Sequence, residues 1–349
     1  MTLTIPRADL ARTLTAVTKV TESRNTIAIL GNVLLSATAG TLTVTGTDLD
    51  IEYSASTACE GELSTTVDAK RLSDIARRLV GDTVTLELRD GSLAVKSGRS
   101  RFTLPTLPVA DFPRLDGGVF DAEFKVDLAA LVAPVRFAMS SEQTRYYLCG
   151  VYLHEADGKL RAVATDGHRL AHNSVAHPEP TAPGVIIPSK TVGLIPHGVI
   201  DVGISKNKVR LATADTIIVS KLIDGTFPDY GRVIPAANDN VVTVSRDELS
   251  KSIARVSAVA NERGKAAKFG IAGDNIAIDM RSDDGSAHED VPASYSCEPI
   301  EIGFNSAYMT DVLAAVPGGE ITIALADGQT PAIFRGTGDV LALCMPMRA

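Results

Sequence analysis

The chain has 349 residues, enough for two or three domains, and its 45% apolar content suits a protein with a buried core. A formal net charge of −8, with 22% charged residues and no Trp, argues against adhesion to nucleic acid through bulk charge but leaves room for a local basic surface. No run of about 18 apolar residues is available to span a membrane, residues 1–11 lack a signal-like core, so export is not expected, and Cys59, Cys149, Cys297 and Cys344 form no C-x-x-C pair, which predicts reduced cytoplasmic thiols rather than a zinc or redox site.

In chain order, Leu10, Leu14 and Val17 fall on one face of a helix predicted over 6–19. Residues 42–45 alternate like a strand and run into Thr47-Asp48. Val67 to Lys70 lead into a second helix carrying Leu72, Ile75, Ala76 and Leu79. Residues 81–88 read as a strand, Asp90-Gly91 as a hairpin turn, and Phe102 leads on to Phe112-Pro113. A turn-rich join follows at 116–118. The same order then recurs: a helix over 127–139, a turn at Asp157-Gly158, a strand over 160–164 before Thr165-Asp166, Ile187 to Lys190 ahead of a helix, a strand over 198–204, and Phe227-Pro228. After a second join at 236–240, a helix over 246–259 shows Leu249, Ile253 and Val256, residues 302–305 precede another, and a strand over 318–325 leads to the end at 344–349.

These landmarks keep a nearly constant step. Phe112 and Phe227 lie 115 residues apart, Asp48 and Asp166 118, and Lys70 and Lys190 120, close to one third of the chain. Such a step is too long for a solenoid repeat and predicts three tandem domains of α+β class, each with two helices and several antiparallel strands, over 1–118, 119–237 and 238–349.

The predicted helices are net basic. Residues 7–24 hold Arg7, Arg12, Lys19 and Arg24 against Asp9 and Glu22. Residues 68–80 hold Lys70, Arg71, Arg77 and Arg78 against Asp68 and Asp74. Residues 246–268 hold six Lys or Arg against three acids. Strands and loops therefore carry the acid. This pattern permits a helical surface facing phosphates, although Lys- and Arg-rich helix faces are also ordinary solvated surfaces. No recognition-helix motif or aromatic single-strand groove is visible, so any DNA contact should ignore base sequence.

Several strings resemble one family, the bacterial DNA sliding clamps (DNA polymerase III beta subunits). They are residues 23–35, 97–102, 107–113 and Arg145-Tyr-Tyr-Leu-Cys-Gly150; then Ala164-Thr-Asp-Gly-His-Arg-Leu-Ala171, Asp224 to Tyr230, Val233-Ile-Pro235 and Met345-Pro-Met-Arg348. They occur in family order across nearly the whole chain. The resemblance implies a head-to-tail homodimer forming a six-domain ring, helices inside, that encircles and slides on duplex DNA as a non-catalytic processivity factor, cytoplasmic and nucleoid-associated, with no cofactor and no metal. Expected partners are the polymerase catalytic subunit, the clamp loader and other proteins bearing a clamp-binding motif, with no membrane. The resemblance carries a hydrophobic peptide cleft onto Leu148, Thr165, Gly167, His168, Arg169, Leu170, Pro235, Asn305, Tyr308, Leu343, Met345, Pro346 and Met347. It carries DNA contact onto Arg24, Arg71, Arg145, Tyr146 and Lys190. It places ring closure at Arg99, Arg101, Phe102 and Leu104 on one side, against Ala258, Val259, Phe269, Asp283, Asp284 and Glu289 on the other. Without it, Leu343 and Met345 read as last-strand core, Phe102 and Leu104 as strand core, and Thr165-Asp-Gly167 as an ordinary turn.

The chain departs from the family pattern in being short, in a tight segment over 124–131, in Cys344 where a branched aliphatic is common, and in a terminal Ala349. The last two are expected to touch the cleft and alter partner or inhibitor affinity. Two other readings compete. A clamp paralogue with altered partners would share every feature above. An enzyme could be imagined around Asp166, His168 and His172, yet no Gly-x-Ser-x-Gly, P-loop or His-Glu-x-x-His string is present, and the acids of 279–290 miss calcium-loop positions.

Overall fold

A computed structural model describes residues 1–22, 26–115, 118–176, 184–261, 265–283 and 285–348. Among the described residues there are six α-helices, α1 (Arg7–Val17), α2 (Ala69–Arg78), α3 (Leu128–Val132), α4 (Ser189–Val192), α5 (Arg246–Val256) and α6 (Ser306–Ala315), besides short 3-10 turns. The described strands form three sheets of five, eight and twelve strands with antiparallel pairing.

The landmarks at Val67–Lys70, Ile187–Lys190 and 302–305 prove to be strand-to-helix junctions. At four helix starts a polar side chain caps the exposed N–H groups, whereas α1 and α4 follow Pro6 and Pro188 without a side-chain cap. Asp68 accepts from the Arg71 N–H at the start of α2, Asp127 from Ala130 at α3, Ser245 from Glu248 at α5, and Asn305 from Ala307 and Tyr308 at α6. The apolar stripes then turn inward: Leu10, Leu14 and Val17 of α1, Leu72 and Ala76 of α2, and Leu249, Ile253 and Val256 of α5 are all buried. Both helices of the middle third are shorter than expected. The helix predicted over 127–139 stops at Val132 and resumes only as a 3-10 turn, Arg136–Ala138. Pro134 explains this, because its ring removes one N–H and collides with the preceding turn. The helix after Ile187 lasts one turn before Gly193 and Pro196.

The chain divides into two compact units, Met1–Val126 with Val199–Lys221, and Asp127–Gly198 with Leu222–Ala349. These cut across the thirds. In the first unit, the middle third's strand Thr216–Lys221 pairs with Ile51–Ala58 of the first third, Ile218 opposite Tyr53, within the eight-stranded sheet. The unit's five-stranded sheet ends at Ser100–Pro105. The buried Glu52 carboxylate holds the segment after Pro113, accepting from Arg114 Nε and Nη2 at 3.0–3.2 Å and from the Leu115 N–H at 2.8 Å. In the second unit, the middle third's strand Arg169–Ala176 pairs with Leu341–Cys344, Leu170 opposite Leu343, inside the twelve-stranded sheet.

Three hairpins close through two residues in the left-handed region, as right-twisted strands require. The two turns read from sequence are Asp90-Gly91 (φ 43° and 74°) and Asp157-Gly158 (55° and 69°). The third is Ala39-Gly40, between Thr38 and Thr41, with Ala39 at φ 49°. Alanine has no side-chain polar group to offset that conformation. Ala39→Asn is expected to stabilise the fold by about 1 kcal/mol, read as a higher thermal midpoint; an unchanged or lowered midpoint would refute the strain.

Candidate functional site

In the second unit the strands Lys159–Thr165 and Arg169–Ala176 are joined by a turn whose geometry is set from within. The Thr165 hydroxyl donates to the Arg169 carbonyl at 2.8 Å and accepts from the Gly167 N–H at 3.1 Å. The Asp166 carboxylate accepts from the His168 and Arg169 N–H groups at 2.8 and 3.0 Å and from Arg169 Nε at 3.0 Å. Gly167 sits at φ 90°, and a Cβ there would come within 2.7 Å of an Arg145 guanidinium nitrogen. The positive φ is what calls for glycine, since the Arg145 side-chain end could move aside to make room.

Beyond the turn, Leu170 and Leu343 project from paired strands onto an apolar floor shared with Leu148, Val163, Ile186, Phe227, Ile333 and Leu341. The chain then leaves the sheet. The Met345 N–H donates to the His168 carbonyl and the Met347 N–H to the Gly303 carbonyl, each at 2.8 Å, and both side chains stay 40% exposed. Thr165, Gly167, His168, Arg169, Leu170, Val233, Pro331, Leu343 and Met345 line an open cleft of about 70 Å³.

Arg169 anchors one wall. Its guanidinium lies between the Asp166 and Asp311 carboxylates, 4.5 Å from the centre of the Tyr308 ring and 5.3 Å from that of Phe137. Burial alone would lower its pKa, but the two carboxylates raise it overall, so the cation is secure. His168 stacks on Tyr308 at 5.9 Å. Asn305 serves as the cap that orients Tyr308, and Pro235 and Pro346 are half-buried beside the cleft without lining it.

The expected DNA-contact residues fall in both units, Arg71 in the first and Arg145, Tyr146 and Lys190 in the second. Arg71 is exposed, with its Nε 4.0 Å from Asp68, and lines a depression with Thr18, Glu22 and Lys70. Tyr146 is half-exposed, and Lys190 is exposed on α4. Arg145 is engaged differently: it pairs with Glu142 at 2.5–2.9 Å and packs beside Gly167. Arg24 lies outside the described residues. Much of the helical positive charge is also neutralised locally, since Arg12, Arg77, Arg246 and Arg255 each contact a carboxylate.

Of the expected closure residues, Arg99, Arg101 and Phe102 are exposed on or beside Ser100–Pro105, which among the described residues is paired on one side only. Leu104 alternates inward and is buried. In the second unit, Ala258 and Asp283 are exposed and Val259 is half-buried. Phe269 corrects the expectation: it is 3% exposed and packs edge-on to Phe304 at 5.5 Å, so it is core. Glu289 is held by Arg255 at 2.7 Å through both oxygens, which keeps its carboxyl below the ordinary range. Asp284 lies outside the described residues.

Three domain models of the DNA polymerase III beta subunit match the chain in order: N-terminal over residues 1–116, central over 125–229 and C-terminal over 231–348. The beta sliding clamp of Caulobacter vibrioides is 39% identical over 373 aligned positions, and that of Escherichia coli 35% over 371, with 100% of both chains covered in each case. A crystal structure of a DnaN sliding clamp from Bartonella birtlesii bound to griselimycin superposes with a TM-score of 0.96 at 38% identity, again covering 100% of both chains.

The chain belongs to the DNA polymerase III beta subunit family, the beta sliding clamps.

The family consists of non-catalytic processivity factors, and nothing in this clamp's Asp166, His168 and His172 forms a reactive constellation. Asp166 is consumed by its own turn and His168 by Tyr308. His172 lies beside the Tyr230 ring at 6.4 Å, with a buried Nδ1 that has no hydrogen-bond partner among the described residues. The expectation for Cys344 is also corrected. It alternates with Leu343, so it faces the opposite side of the sheet, fully buried, where burial pushes its thiol up to about 12. It does not line the cleft, although it pairs opposite Arg169 of the cleft wall, and Ala349 lies outside the described residues. Val233 and Pro331 were missed because they reach the cleft from distant loops. Val233 stood inside a recognised string, but nothing in the sequence pointed to Pro331.

Burial, with Arg161 and Arg335 nearby, pushes His172 down to about 4. The unfolded chain takes up that proton near pH 6.5, so acidification from about 6.5 to 4 favours the unfolded state. Stability should fall through this window by on the order of 2 kcal/mol after allowance for solvent screening, with the same sign from the lowered His154. Denaturant titrations at pH 7 and pH 4.5 on the wild type and His172→Leu measure it; an equal loss in both chains would remove His172 as the cause.

Proposed function

We propose that two copies of this clamp close head to tail into a six-domain ring around duplex DNA and tether the polymerase catalytic subunit, the clamp loader and other motif-bearing proteins through the cleft around Thr165–Leu170, Leu343 and Met345. On this reading the chain is the beta subunit of the DNA polymerase III holoenzyme, acts in the cytoplasm at the nucleoid, and divides near 118 and 237 into its three domains. The observation that carries the reading is the cleft: a turn fixed by its own hydrogen bonds beside exposed Met345 and Val233, over a buried apolar floor. Flexible thioether and aliphatic walls on a rigid base suit a short apolar peptide.

Ring closure is supported by two half-paired strands. Ser100–Pro105 is open on one side, and residues 285–292 pair with Asn275–Ser282 but not with Asn240–Ser245, which takes up only 293–295. Phe102, 39% exposed between Arg101 and Thr103, would be the apolar centre of the joint. Phe102→Asp is expected to weaken dimerisation about ten-fold or more, seen by sedimentation. A dimer of unchanged strength would exclude this edge.

DNA would pass the basic helices without tight contact, since the ring itself prevents escape and strong phosphate binding would hinder sliding. The decisive experiment loads the protein on closed circular DNA with a clamp loader and then cuts the circle. Retention before and loss after linearisation is expected. Binding that survives cutting and yields only to salt would indicate simple electrostatic association.

A further inference from the structure

We propose that Tyr230 is a positioning residue for the peptide cleft, latching the wall that carries Val233 onto the sheet; the proposal rests on the reading of the cleft as a peptide site. Tyr230 opens the 3-10 turn Tyr230–Val233. In a 3-10 helix residues three apart lie on the same side, so where Tyr230 is fixed, Val233 follows. Val233 lines the cleft yet is 52% exposed, so its own packing does not set its place. Asp229 and Arg232 pair within the same turn but are themselves exposed and tie it to nothing else.

Besides the packing of the Tyr230 ring and Ile234 against the apolar floor, the turn is tied to the sheet by the Tyr230 hydroxyl. It lies 2.9 Å from His154 Nε2 and 3.2 Å from Arg161 Nη1. His154 Nδ1 is 3.1 Å from the Glu155 carbonyl, which accepts its proton. Nε2 is then the bare nitrogen and accepts from the Tyr230 O–H, leaving the phenol oxygen to accept from Arg161. Donors and acceptors match at the Tyr230 hydroxyl and the His154 ring, while the buried Arg161 Nε has no hydrogen-bond partner among the described residues. His154 is held in turn by stacking on Tyr152 at 4.7 Å, and Tyr152 stacks on Phe227 at 4.9 Å. The loop ahead of Val233 is thus pinned twice, by Phe227 in the apolar floor and by Tyr230 in a half-buried polar pocket. The Tyr230 ring also packs against the apolar floor that includes Leu170 and Leu343, but neither its hydroxyl's partners His154 and Arg161 nor Tyr230 itself lines the cleft, so the hydroxyl's effect on a ligand passes through the turn.

The test uses the full chain and a short fluorescein-labelled peptide rich in leucine and phenylalanine, taken from the replicative polymerase. Tyr230→Phe should speed peptide dissociation about five-fold with association unchanged, the scale of one lost hydrogen bond. His154→Gln keeps an acceptor and should behave like the wild type, whereas His154→Leu should match Tyr230→Phe. Because Tyr230 acts through Val233, Tyr230→Phe should add nothing in a Val233→Ala background. Full additivity there, or unchanged dissociation in Tyr230→Phe, overturns the proposal. Amide hydrogen exchange at 231–234 supplies a readout that needs no peptide: Tyr230→Phe should raise it, and unchanged exchange overturns the latch. If the wild type captures no peptide, the cleft reading fails, and exchange alone then decides whether the latch exists.

Discussion

One partly buried cation, the Arg169 guanidinium, organises the cleft. Stripping water from the Arg169 guanidinium would cost several kcal/mol if it stood alone. Asp166 and Asp311 offset that cost, and the rings of Tyr308 and Phe137 complete its surroundings. Asp166 belongs to the same turn, whereas Asp311 and Tyr308 belong to α6. Satisfying the charge therefore binds turn to helix. The Met345 N–H then seals the turn to the last segment of the chain. The rigid part of the site is the part that had to be rigid to keep this charge paired.

The sheets obey a second constraint. An unpaired strand edge invites association, and proteins limit it. Here the middle third gives one set of strands to the first third's sheet and another to the last third's sheet, so each pairing covers an edge that would otherwise be open. Among the edges that stay open in the described residues, Ser100–Pro105 and 285–292 are the two that the proposed head-to-tail closure would use. The acidic bulk and locally neutralised helices suit a body that keeps DNA by enclosure more than by attraction.

Much of this was legible in the residues. The caps Asp68, Asp127, Ser245 and Asn305 mark the helix starts, because each must satisfy exposed N–H groups at a fixed spacing from an apolar stripe. Asp-Gly pairs mark two hairpins, since their φ values demand such residues; Ala39-Gly40 makes the same turn without announcing it. Helix lengths in the middle third were misjudged because apolar spacing continued past Pro134, and periodicity does not register a missing N–H.

The sequence by itself determined the threefold repeat, the α+β class and the turn at 165–169, because caps, alternation and left-handed glycine are local requirements that act over a few residues. Only the tertiary structure decided that Phe269 is core, that Cys344 faces away from the cleft, that Arg145 packs against Gly167, and that Val233, Pro331 and the Tyr230–His154–Arg161 triad belong to the site. Those facts depend on which face of a strand meets which neighbour and on loops brought together across 60 or more residues, and side-chain burial and long-range hydrogen bonding leave no local trace of either.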